Sequence, residues 1–390
     1  MAKSKDSNAA SGSLVVSKAD LNDDLAKQIA ADINKLSKSG KIAFIGNEEN
    51  PSDIAGYIET GNSLLDLAIS NRAYGGVPFG RITEISGLEG SGKSLLCAHM
   101  IANVQKMGGI GIFIDTENAV DTKFFDAVGV DREKWSYVPM LAIEDIFEVI
   151  EATIVRVRSS SSERPVIIIL DSLAGASTKA EIEGTYEKEG YGMEKAYLMS
   201  KALRKITGII GKNKIALVIT NQLRQKLNAQ PFQDPYVTSG GKALGFHASV
   251  RIRLAQTAKI TRPDPDDPKI KNVIGVKVKA NVVKNRIGPA YRTAEFDVYF
   301  DRGVDNYNSW LQFLRRKNII TGVKSNALVY VSEKLGEFKF SEKDWKPLLE
   351  SNKELKTELY EKLCNACIMA YQSGELVESD VEFDGFTGDE

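Results

Sequence analysis

The sequence contains few cysteines and histidines and no long apolar run, and each shortage argues against a class of protein. Three cysteines in 390 residues cannot form a disulfide scaffold, which favours a reducing compartment, the cytoplasm. Two histidines, His99 and His247, argue against a metal enzyme with several histidine ligands. The longest purely aliphatic run, residues 166–170, is far shorter than the roughly 18 residues of a membrane span, and residues 1–20 lack the apolar core of a secretory signal. We therefore expect no membrane partner.

Neither sign of charge is in excess. Lys and Arg together number 51 and Asp and Glu 52, which gives a net charge of −1. Bulk charge therefore does not indicate a nucleic-acid partner, and any basic surface must be local. One basic patch lies over residues 195–214, with Glu194 as the single acid beside it. Taken alone, this patch fits a solvated helix face as well as it fits a nucleic-acid surface.

The N-terminal part of the chain separates into two segments. Residues 1–17 are small and polar and are predicted to be disordered. A helix is predicted to begin after Asp20 and to end before Gly40, because apolar residues recur between them at helical spacing, and a short strand over residues 42–45 follows. The apolar stripe of this helix needs a partner, either the body of the chain or a neighbouring subunit. We assign residues 18–59 to this N-terminal segment.

Residues 60–300 alternate apolar runs with amphipathic stretches. Aliphatic runs separated by helices predict a mainly parallel sheet flanked by helices on both faces, so the fold class is α/β. The runs are 82–85, 110–114, 166–170, 216–219 and 250–254. The acid- and proline-rich segment 261–268 is predicted to connect a hairpin. Residues 301–374 are predicted to form a small C-terminal domain, and residues 375–390 an acidic tail.

Eight consecutive residues match the phosphate-binding pattern G-x-x-x-x-G-K-[ST]. They follow a candidate strand and open a helical stretch, which is the context that this motif requires. They are Gly87, Leu88, Glu89, Gly90, Ser91, Gly92, Lys93 and Ser94. The backbone N–H groups of such a loop face phosphate oxygens, Lys93 would reach the β- and γ-phosphates, and the Ser94 hydroxyl would hold Mg²⁺. The sequence therefore predicts a nucleotide site with Mg²⁺.

Two further aliphatic runs lead to carboxylates. Asp171 follows the run 166–170, which would place it beside the phosphate loop, where it would order the water shell of Mg²⁺. Glu117 lies just beyond the run 110–114. It could orient or deprotonate a water molecule that attacks the terminal phosphate, or it could cap the segment that follows. The residues alone leave both roles open.

The C-terminal domain contains a CxxC pair, Cys364 and Cys367, on a predicted helix. The sequence has no second such pair and no histidine near it, so zinc or redox chemistry is poorly supported. We interpret the two residues as packing cysteines.

Taken in order, these motifs resemble those of the RecA family of DNA recombinases, and the resemblance covers nearly the whole chain. Several matching segments are specific to this family rather than to P-loop proteins at large. The segments are TGNSLLDLAI at 60–69, GRITEISGLEGSGKS at 80–94, FIDTENAVD at 113–121, LDSLAGASTKAEIEG at 170–184, MSKALRK at 199–205, TNQLRQK at 220–226, GGKAL at 240–244, ASVRIRL at 248–254 and VVKNRI at 282–287.

The resemblance implies roles for residues around an ATP site. Glu117 would be the catalytic glutamate. Asp121 and Phe124 would border the adenine, with Phe124 as a stacking face. Asp171 and Ser172 would form the second nucleotide motif.

Three further residues are implied to act together with the catalytic glutamate. Gln222 would sense the γ-phosphate and pass its state to the loop that follows. Lys284 and Arg286 would reach across to the nucleotide of a neighbouring subunit. In an extended strand these two cations lie on one side, with Asn285 facing the other way. A surface salt-bridge pair is the alternative interpretation.

The resemblance also implies two DNA-binding loops, around residues 183–192 and 223–240. Basic side chains there would neutralise backbone phosphates without reading sequence, and aromatic ones would stack on bases, which suits single-stranded DNA. The candidate DNA-binding residues are Lys195, Arg204, Lys205, Arg224, Lys226, Phe232, Gly240 and Gly241.

The implied fold is a RecA-like P-loop NTPase core with a small N-terminal helix and strand segment for oligomerisation and a small α+β C-terminal domain. The implied function is an ATP-dependent recombinase, with ATP and Mg²⁺ as cofactors. It would form a homo-oligomeric helical filament on single-stranded DNA and pair it with homologous double-stranded DNA in recombination and repair. Single-strand-binding and loader proteins would be further partners. A ring helicase with the same core and a non-hydrolysing filament mediator are the alternatives.

Overall fold

The computed structural model describes residues 25–38, 41–46, 48, 53–160, 163–184, 191–226, 236–238, 243–322 and 327–370. The chain divides into two compact units, the first ending at Asp53 and the second beginning at Ile54. The predicted disordered segment 1–17 and the acidic tail 375–390 lie outside the described residues. Among the described helices, none has both the length and the apolar character needed to cross a membrane.

The first unit contains helix α1 (Leu25–Leu36), within the range predicted for a helix. Four apolar residues at helical spacing on α1 are 41–84% exposed; they are Leu25, Ile29, Ile33 and Leu36. The strand predicted over residues 42–45 is wrong. The N–H groups of Ile42 and Ala43 instead donate to Asn34 Oδ1, each at 2.8 Å, so a side chain takes the place of a neighbouring strand.

The second unit is built on a sheet whose described part has ten strands, beside a small pair formed by β1 (Tyr57–Ile58) and β2 (Val77–Pro78). The strands of the large sheet are β3 (Ile82–Gly87), β4 (Ile110–Asp115), β5 (Trp135–Pro139), β6 (Val166–Asp171), β7 (Ala216–Gln225), β8 (Tyr236–Thr238), β9 (Val250–Pro263), β10 (Lys271–Asn285), β11 (Thr293–Tyr299) and β12 (Gly303–Asp305).

The sheet has a parallel part and an antiparallel extension. Strands β5, β4, β6, β7, β3 and β9 lie side by side in that order and are all parallel. All five predicted aliphatic runs fall on these strands, so the prediction of a mainly parallel sheet is confirmed. Beyond β9 the sheet continues with β10, β11 and β12 in antiparallel order, and residues 264–270 connect the long β9–β10 hairpin, close to the predicted connection at 261–268.

Helices cover both faces of the parallel strands. The helices of this part are α2 (Ser63–Ser70), α3 (Lys93–Lys106), α4 (Thr122–Ala127), α5 (Ile143–Ser160), α6 (Lys179–Glu183), α7 (Tyr191–Asn213) and α8 (Ala243–His247). Helices α2 and α3 pack on one face, and α5, α7 and α8 pack on the other. Strands β3 and β6 are buried at every residue because both of their faces are covered, and this explains the unbroken aliphatic run of β6.

The C-terminal residues form an α+β region that packs on the same face as α2. Its elements are α9 (Asn306–Arg316), β13 (Leu328–Ser332), β14 (Gly336–Phe340), α10 (Trp345–Ser351) and α11 (Lys353–Cys367). Since β12 pairs with β11, the central sheet runs to Asp305, five residues past the boundary expected at 300. Cys364 is buried and Cys367 partly buried, and both are free thiols in the hydrophobic core, as the packing interpretation predicts.

His99 connects helix α3 to the edge strand β12 of the sheet by a hydrogen bond, and its contact makes the folding stability depend on pH. His99 Nε2 accepts a hydrogen bond from the backbone N–H of Val304 at 2.9 Å. Burial, with a contribution from Lys106, lowers the pKa of His99 from 6.5 to about 4. The unfolded chain therefore binds a proton between these two pH values and the folded chain does not, so stability falls as the pH decreases through this window.

We predict that His99→Gln removes this pH dependence, because an amide oxygen can accept from Val304 without titrating. Between pH 7.5 and pH 5 the wild type should lose roughly 2 kcal/mol of unfolding free energy more than the variant. Equilibrium urea unfolding of both proteins at the two pH values measures this loss. Subtracting the loss of the variant from that of the wild type cancels the contribution of the carboxylates that both proteins share. Equal losses in the two proteins would contradict the assignment.

Candidate nucleotide and DNA site

The phosphate loop connects the carboxyl end of β3 to the first turn of α3. Gly90 and Gly92 have φ angles of +70° and +87°, a left-handed conformation that residues with a Cβ rarely adopt. Lys93 Nζ donates to the carbonyl oxygens of Gly87 at 3.1 Å and Leu88 at 3.0 Å. Burial lowers the pKa of Lys93, while nearby carboxylates oppose the shift. The ammonium therefore lies within the loop, where a phosphate can replace the two carbonyl oxygens as its hydrogen-bond acceptor.

The other predicted residues meet this loop because neighbouring parallel strands end at one edge of the sheet. Gly87 at the end of β3 is in register with Gln222 on β7, and Asp115 at the end of β4 is in register with Asp171 on β6. The four strands thus bring residues from distant parts of the sequence to one line beside the phosphate loop.

Glu117 is held by two side chains from neighbouring strands. Its Oε1 accepts hydrogen bonds from Ser172 Oγ at 2.6 Å and from Gln222 Nε2 at 3.0 Å. The alternative role as a helix cap is wrong, because Asp121 caps α4 by accepting from the N–H of Lys123 at 2.9 Å. Glu117 is therefore positioned by polar contacts at the mouth of the site.

Asp115, which was not predicted to have a role of its own, holds the loop that carries Glu117. Its carboxylate accepts from four consecutive backbone N–H groups at 2.9–3.3 Å, and from Tyr137 Oη at 2.8 Å. The four groups belong to Glu117, Asn118, Ala119 and Val120. Burial and the contact with Asp115 raise the pKa of Tyr137 to about 12, so the phenol remains a donor. The sequence does contain a signal for this role of Asp115, because an aspartate followed three residues later by an asparagine is typical of a turn. Asn118 indeed adopts a left-handed backbone conformation.

The two predicted Mg²⁺ residues are neighbours. Asp171 makes side-chain hydrogen bonds with Ser94 and with Thr220. Burial raises the pKa of Asp171, and these hydrogen bonds act in the opposite direction. A hydroxyl and a carboxylate fit Mg²⁺, which takes one or two protein oxygens together with phosphates and water. In the described part of the chain, no group of three or more His, Cys, Asp or Glu side chains could hold a metal by itself.

A cavity of about 390 Å³ joins these residues to an aromatic end. Lys93, Glu117 and Asp171 line it together with the phosphate-loop residues and Asp121. Phe124 and Phe125, in edge-to-face contact with centroids 6.2 Å apart, line it as well. Phe300 at the end of β11 also lines it and was not predicted. A pocket with a phosphate end and an aromatic end has the size and chemistry of a nucleotide site.

Lys284 and Arg286 are not among the residues that line the cavity. Lys284 Nζ donates to the carbonyl oxygens of Gly245 at 2.6 Å and Phe246 at 3.1 Å in α8, whereas Asn285 Nδ2 donates to a carbonyl of α2 on the opposite face. Lys284 and Asn285 therefore point to opposite faces of the sheet, as predicted. Arg286 lies just beyond the end of β10 and is exposed. Within the part of the chain that the structure describes, neither cation forms an ion pair, which argues against the salt-bridge interpretation.

Described strands and helices border the two predicted DNA segments. Strand β7 continues to Gln225, and β8 pairs with it antiparallel, with Arg224 opposite Val237, so residues 223–225 and 236–238 of the segment 223–240 are strand. Helices α6 and α7 likewise reach residues 183 and 191. Phe232, Gly240 and Gly241 lie outside the described residues.

The remaining DNA candidates differ in their exposure and in their partners. Arg204 and Arg224 are exposed, and Lys226 is partly buried. Lys195 instead donates to the carbonyl oxygens of residues 174 and 176, and burial lowers its pKa. Lys205 forms an ion pair with Glu151 at 2.6 Å. The sequence could not show these two contacts because their partners come from other elements.

Comparisons with known proteins identify the family of the chain. The family model described as RecA N-terminal domain matches residues 24–305. Similar proteins named Protein RecA come from Wolinella succinogenes, 35% identical over 89% of this chain and 93% of the relative, and from Campylobacter fetus, 36% identical over 90% and 95%. That of Symbiobacterium thermophilum is 35% identical over 87% of this chain and 93% of its own. The chain therefore belongs to the RecA family, and its function is in DNA recombination and repair.

Proposed function

We propose that this chain is a DNA-dependent ATPase that forms helical filaments on single-stranded DNA and exchanges strands with homologous double-stranded DNA. One observation carries the proposal. Gln222 contacts the carboxylate of Glu117 with its side chain, and its strand β7 leads within three residues into the predicted DNA segment. A change at the nucleotide can therefore reach the DNA segment through one strand.

ATP would bind to groups that line one cavity. The phosphate-loop N–H groups and Lys93 would bind the phosphates, and the aromatic end with Phe124 and Phe300 would hold the base. Ser94 and Asp171 would hold Mg²⁺, which neutralises phosphate charge when it is bound. Lys93 would leave its two loop carbonyls for the β- and γ-phosphates.

Hydrolysis depends on Glu117. Its Oε1 is occupied by two donors, Ser172 and Gln222. A γ-phosphate would offer the Gln222 amide a second charged acceptor, with more oxygens and more negative charge than the Glu117 carboxylate, and the amide would turn toward it. Glu117 would then have a free lone pair with which to orient and deprotonate the attacking water. The same movement of Gln222 would carry the nucleotide state into β7.

Filament assembly needs surfaces for a second copy of the chain. Helix α1 exposes four apolar side chains, which a neighbouring copy would cover. Lys284 and Arg286 lie outside the cavity of their own chain, so they are available to a nucleotide approached from a neighbour. In that position they would neutralise charge that develops on the γ-phosphate.

The first test measures ATP hydrolysis with and without single-stranded DNA, in the wild type and in Glu117→Gln. We expect DNA to stimulate the wild type, and the variant to bind ATP and DNA but to lose about 10²–10⁴ in turnover, since an amide cannot accept the proton. Hydrolysis of the variant at the wild-type rate would contradict the role of Glu117. Wild-type hydrolysis that DNA does not stimulate would contradict the proposed function.

Gln222→Ala should abolish the coupling between nucleotide binding and DNA binding. We expect the variant to bind ATP normally, while ATP no longer increases its affinity for single-stranded DNA, because the amide that links Glu117 to β7 is gone. Fluorescence anisotropy of labelled DNA with ADP and with a non-hydrolysable ATP analogue measures the effect. Gln312→Ala, the same substitution at an exposed position on α9, is the control. A nucleotide effect that survives in Gln222→Ala would exclude this coupling.

The trans role of the two cations is tested by mixing variants. The double variant Lys284→Ala with Arg286→Ala should fold and bind nucleotide, yet hydrolyse ATP poorly on DNA; comparable contacts contribute about 10³–10⁵ in turnover. Mixed with Lys93→Ala protein, it should recover activity, because some interfaces then combine an intact phosphate loop with intact cations. If the two proteins co-assemble and no mixing ratio restores hydrolysis, the cations do not act in trans.

A further inference from the structure

A row of three charged residues crosses the sheet next to Lys284. Glu84 on β3 is directly opposite Arg251 on the parallel strand β9, and Arg251 is directly opposite Lys284 on the antiparallel strand β10. The β9–β10 pairing shifts its register between Val282 and Lys284, and this irregularity brings Lys284 opposite Arg251. The order of charges along the row is therefore acid, arginine, lysine.

Glu84 is the buried end of this row. Its side chain is only 1% exposed, and it accepts hydrogen bonds from Arg251 Nε through Oε2 and from Asn221 Nδ2 at 3.2 Å through Oε1. A buried carboxylate is retained in a fold only when its charge and its lone pairs are satisfied, and both are satisfied here. The ion pair therefore fixes the guanidinium of Arg251 against β3.

Arg251 in turn restricts the position of the Lys284 ammonium by electrostatic repulsion. Like charges directly opposite each other in a sheet repel, and both Arg251 and Arg286 act on Lys284 in this way. Burial and these two cations lower the pKa of Lys284, while Glu84 acts in the opposite direction. The charge of Glu84 thus offsets that of Arg251 and allows the second cation to remain charged beside it.

The ion pair also contacts the helix that holds the Lys284 ammonium. A Cβ placed on Gly245 of α8 would lie 3.4 Å from Arg251 Nη1, so the guanidinium packs against the backbone of this residue. The carbonyl oxygen of the same residue accepts from Lys284 Nζ. Arg251 therefore contacts Gly245, whose carbonyl oxygen binds Lys284, and it repels Lys284 itself. Both effects direct the ammonium toward the carbonyl oxygens of Gly245 and Phe246 in α8.

We propose that Glu84 and Arg251 are positioning residues for the cations that act in trans. The ion pair holds Lys284, and with it Arg286, in the place where a neighbouring subunit's nucleotide meets them. This inference rests on the proposed trans action of the two cations. The competing role is local: Glu84 lies on β3, which leads into the phosphate loop, and it would then serve the nucleotide site of its own chain.

Mixed filaments of Glu84→Gln distinguish the two roles. Glutamine keeps the shape of the side chain and removes its charge, although its single amide oxygen can accept from only one of the two donors, Arg251 Nε and Asn221 Nδ2. We expect DNA-dependent hydrolysis by the variant alone to fall at least about tenfold, since small misplacements of a catalytic group have large effects. Its affinity for a fluorescent ATP analogue without DNA should change less than about twofold, because its phosphate loop is intact.

The pattern of recovery is the decisive readout. Mixed with Lys93→Ala protein, Glu84→Gln should recover hydrolysis, because its phosphate loop then faces intact cations. Mixed with the Lys284→Ala, Arg286→Ala variant it should not, because both partners lack well-positioned cations. The reverse pattern, or wild-type hydrolysis by Glu84→Gln alone, would overturn the inference. Failure of the reference mixture of Lys93→Ala with the double variant would instead contradict trans action and remove the basis of both proposals.

Two further variants control for stability and for charge. Glu295→Gln makes the same substitution in an exposed ion pair of the sheet, with Lys279 at 3.9 Å, and should keep wild-type hydrolysis. Loss of hydrolysis there would mean that the assay responds to any lost sheet charge, and would contradict the inference. If Glu84→Gln does not fold, the double variant Glu84→Gln with Arg251→Gln leaves no uncompensated charge and should show the same pattern of recovery.

Discussion

Four neighbouring parallel strands end at one edge of the sheet, and every proposed step of the chemistry depends on that alignment. Because β3, β7, β6 and β4 are in register, the phosphate loop, Gln222, Asp171 and Asp115 come to one line although they are far apart in the sequence. Helices on both faces exclude water from these strands. They also make one register strongly preferred, since a slip by one residue would turn each side chain to the other face. The site is thus a consequence of core packing.

The two faces of β7 connect two sets of functional groups. Neighbouring residues in a strand point to opposite faces, so Gln222 contacts Glu117 on the side of the nucleotide while Asn221 contacts Glu84 on the side of α8. The strand then continues to Arg224 and Gln225, where it pairs with β8. A single rigid element therefore touches the catalytic carboxylate, the ion pair beside Lys284 and the predicted DNA segment.

Much of this could be predicted from local sequence patterns. The phosphate loop is a continuous motif, and the central strand β6 is a continuous aliphatic run up to Asp171, so neither requires knowledge of distant contacts. The partners of Glu117 could not be predicted in this way, because Ser172 and Gln222 are 55 and 105 positions away and meet it only through strand order. The inward position of Lys195 and the row from Glu84 to Lys284 have the same origin. The strand predicted over residues 42–45 failed because a local side chain, Asn34, satisfies its backbone.

The central claim is that nucleotide binding on this sheet drives DNA pairing, and a strand-exchange assay tests it most directly. Full-length protein is incubated with circular single-stranded DNA and a homologous linear duplex, with ATP, with ADP or without nucleotide. The account predicts joint molecules and exchanged products only with ATP and only with homologous DNA, on filaments that electron microscopy shows to be helical. Hydrolysis of ATP by closed rings that unwind the duplex without pairing it would contradict the account.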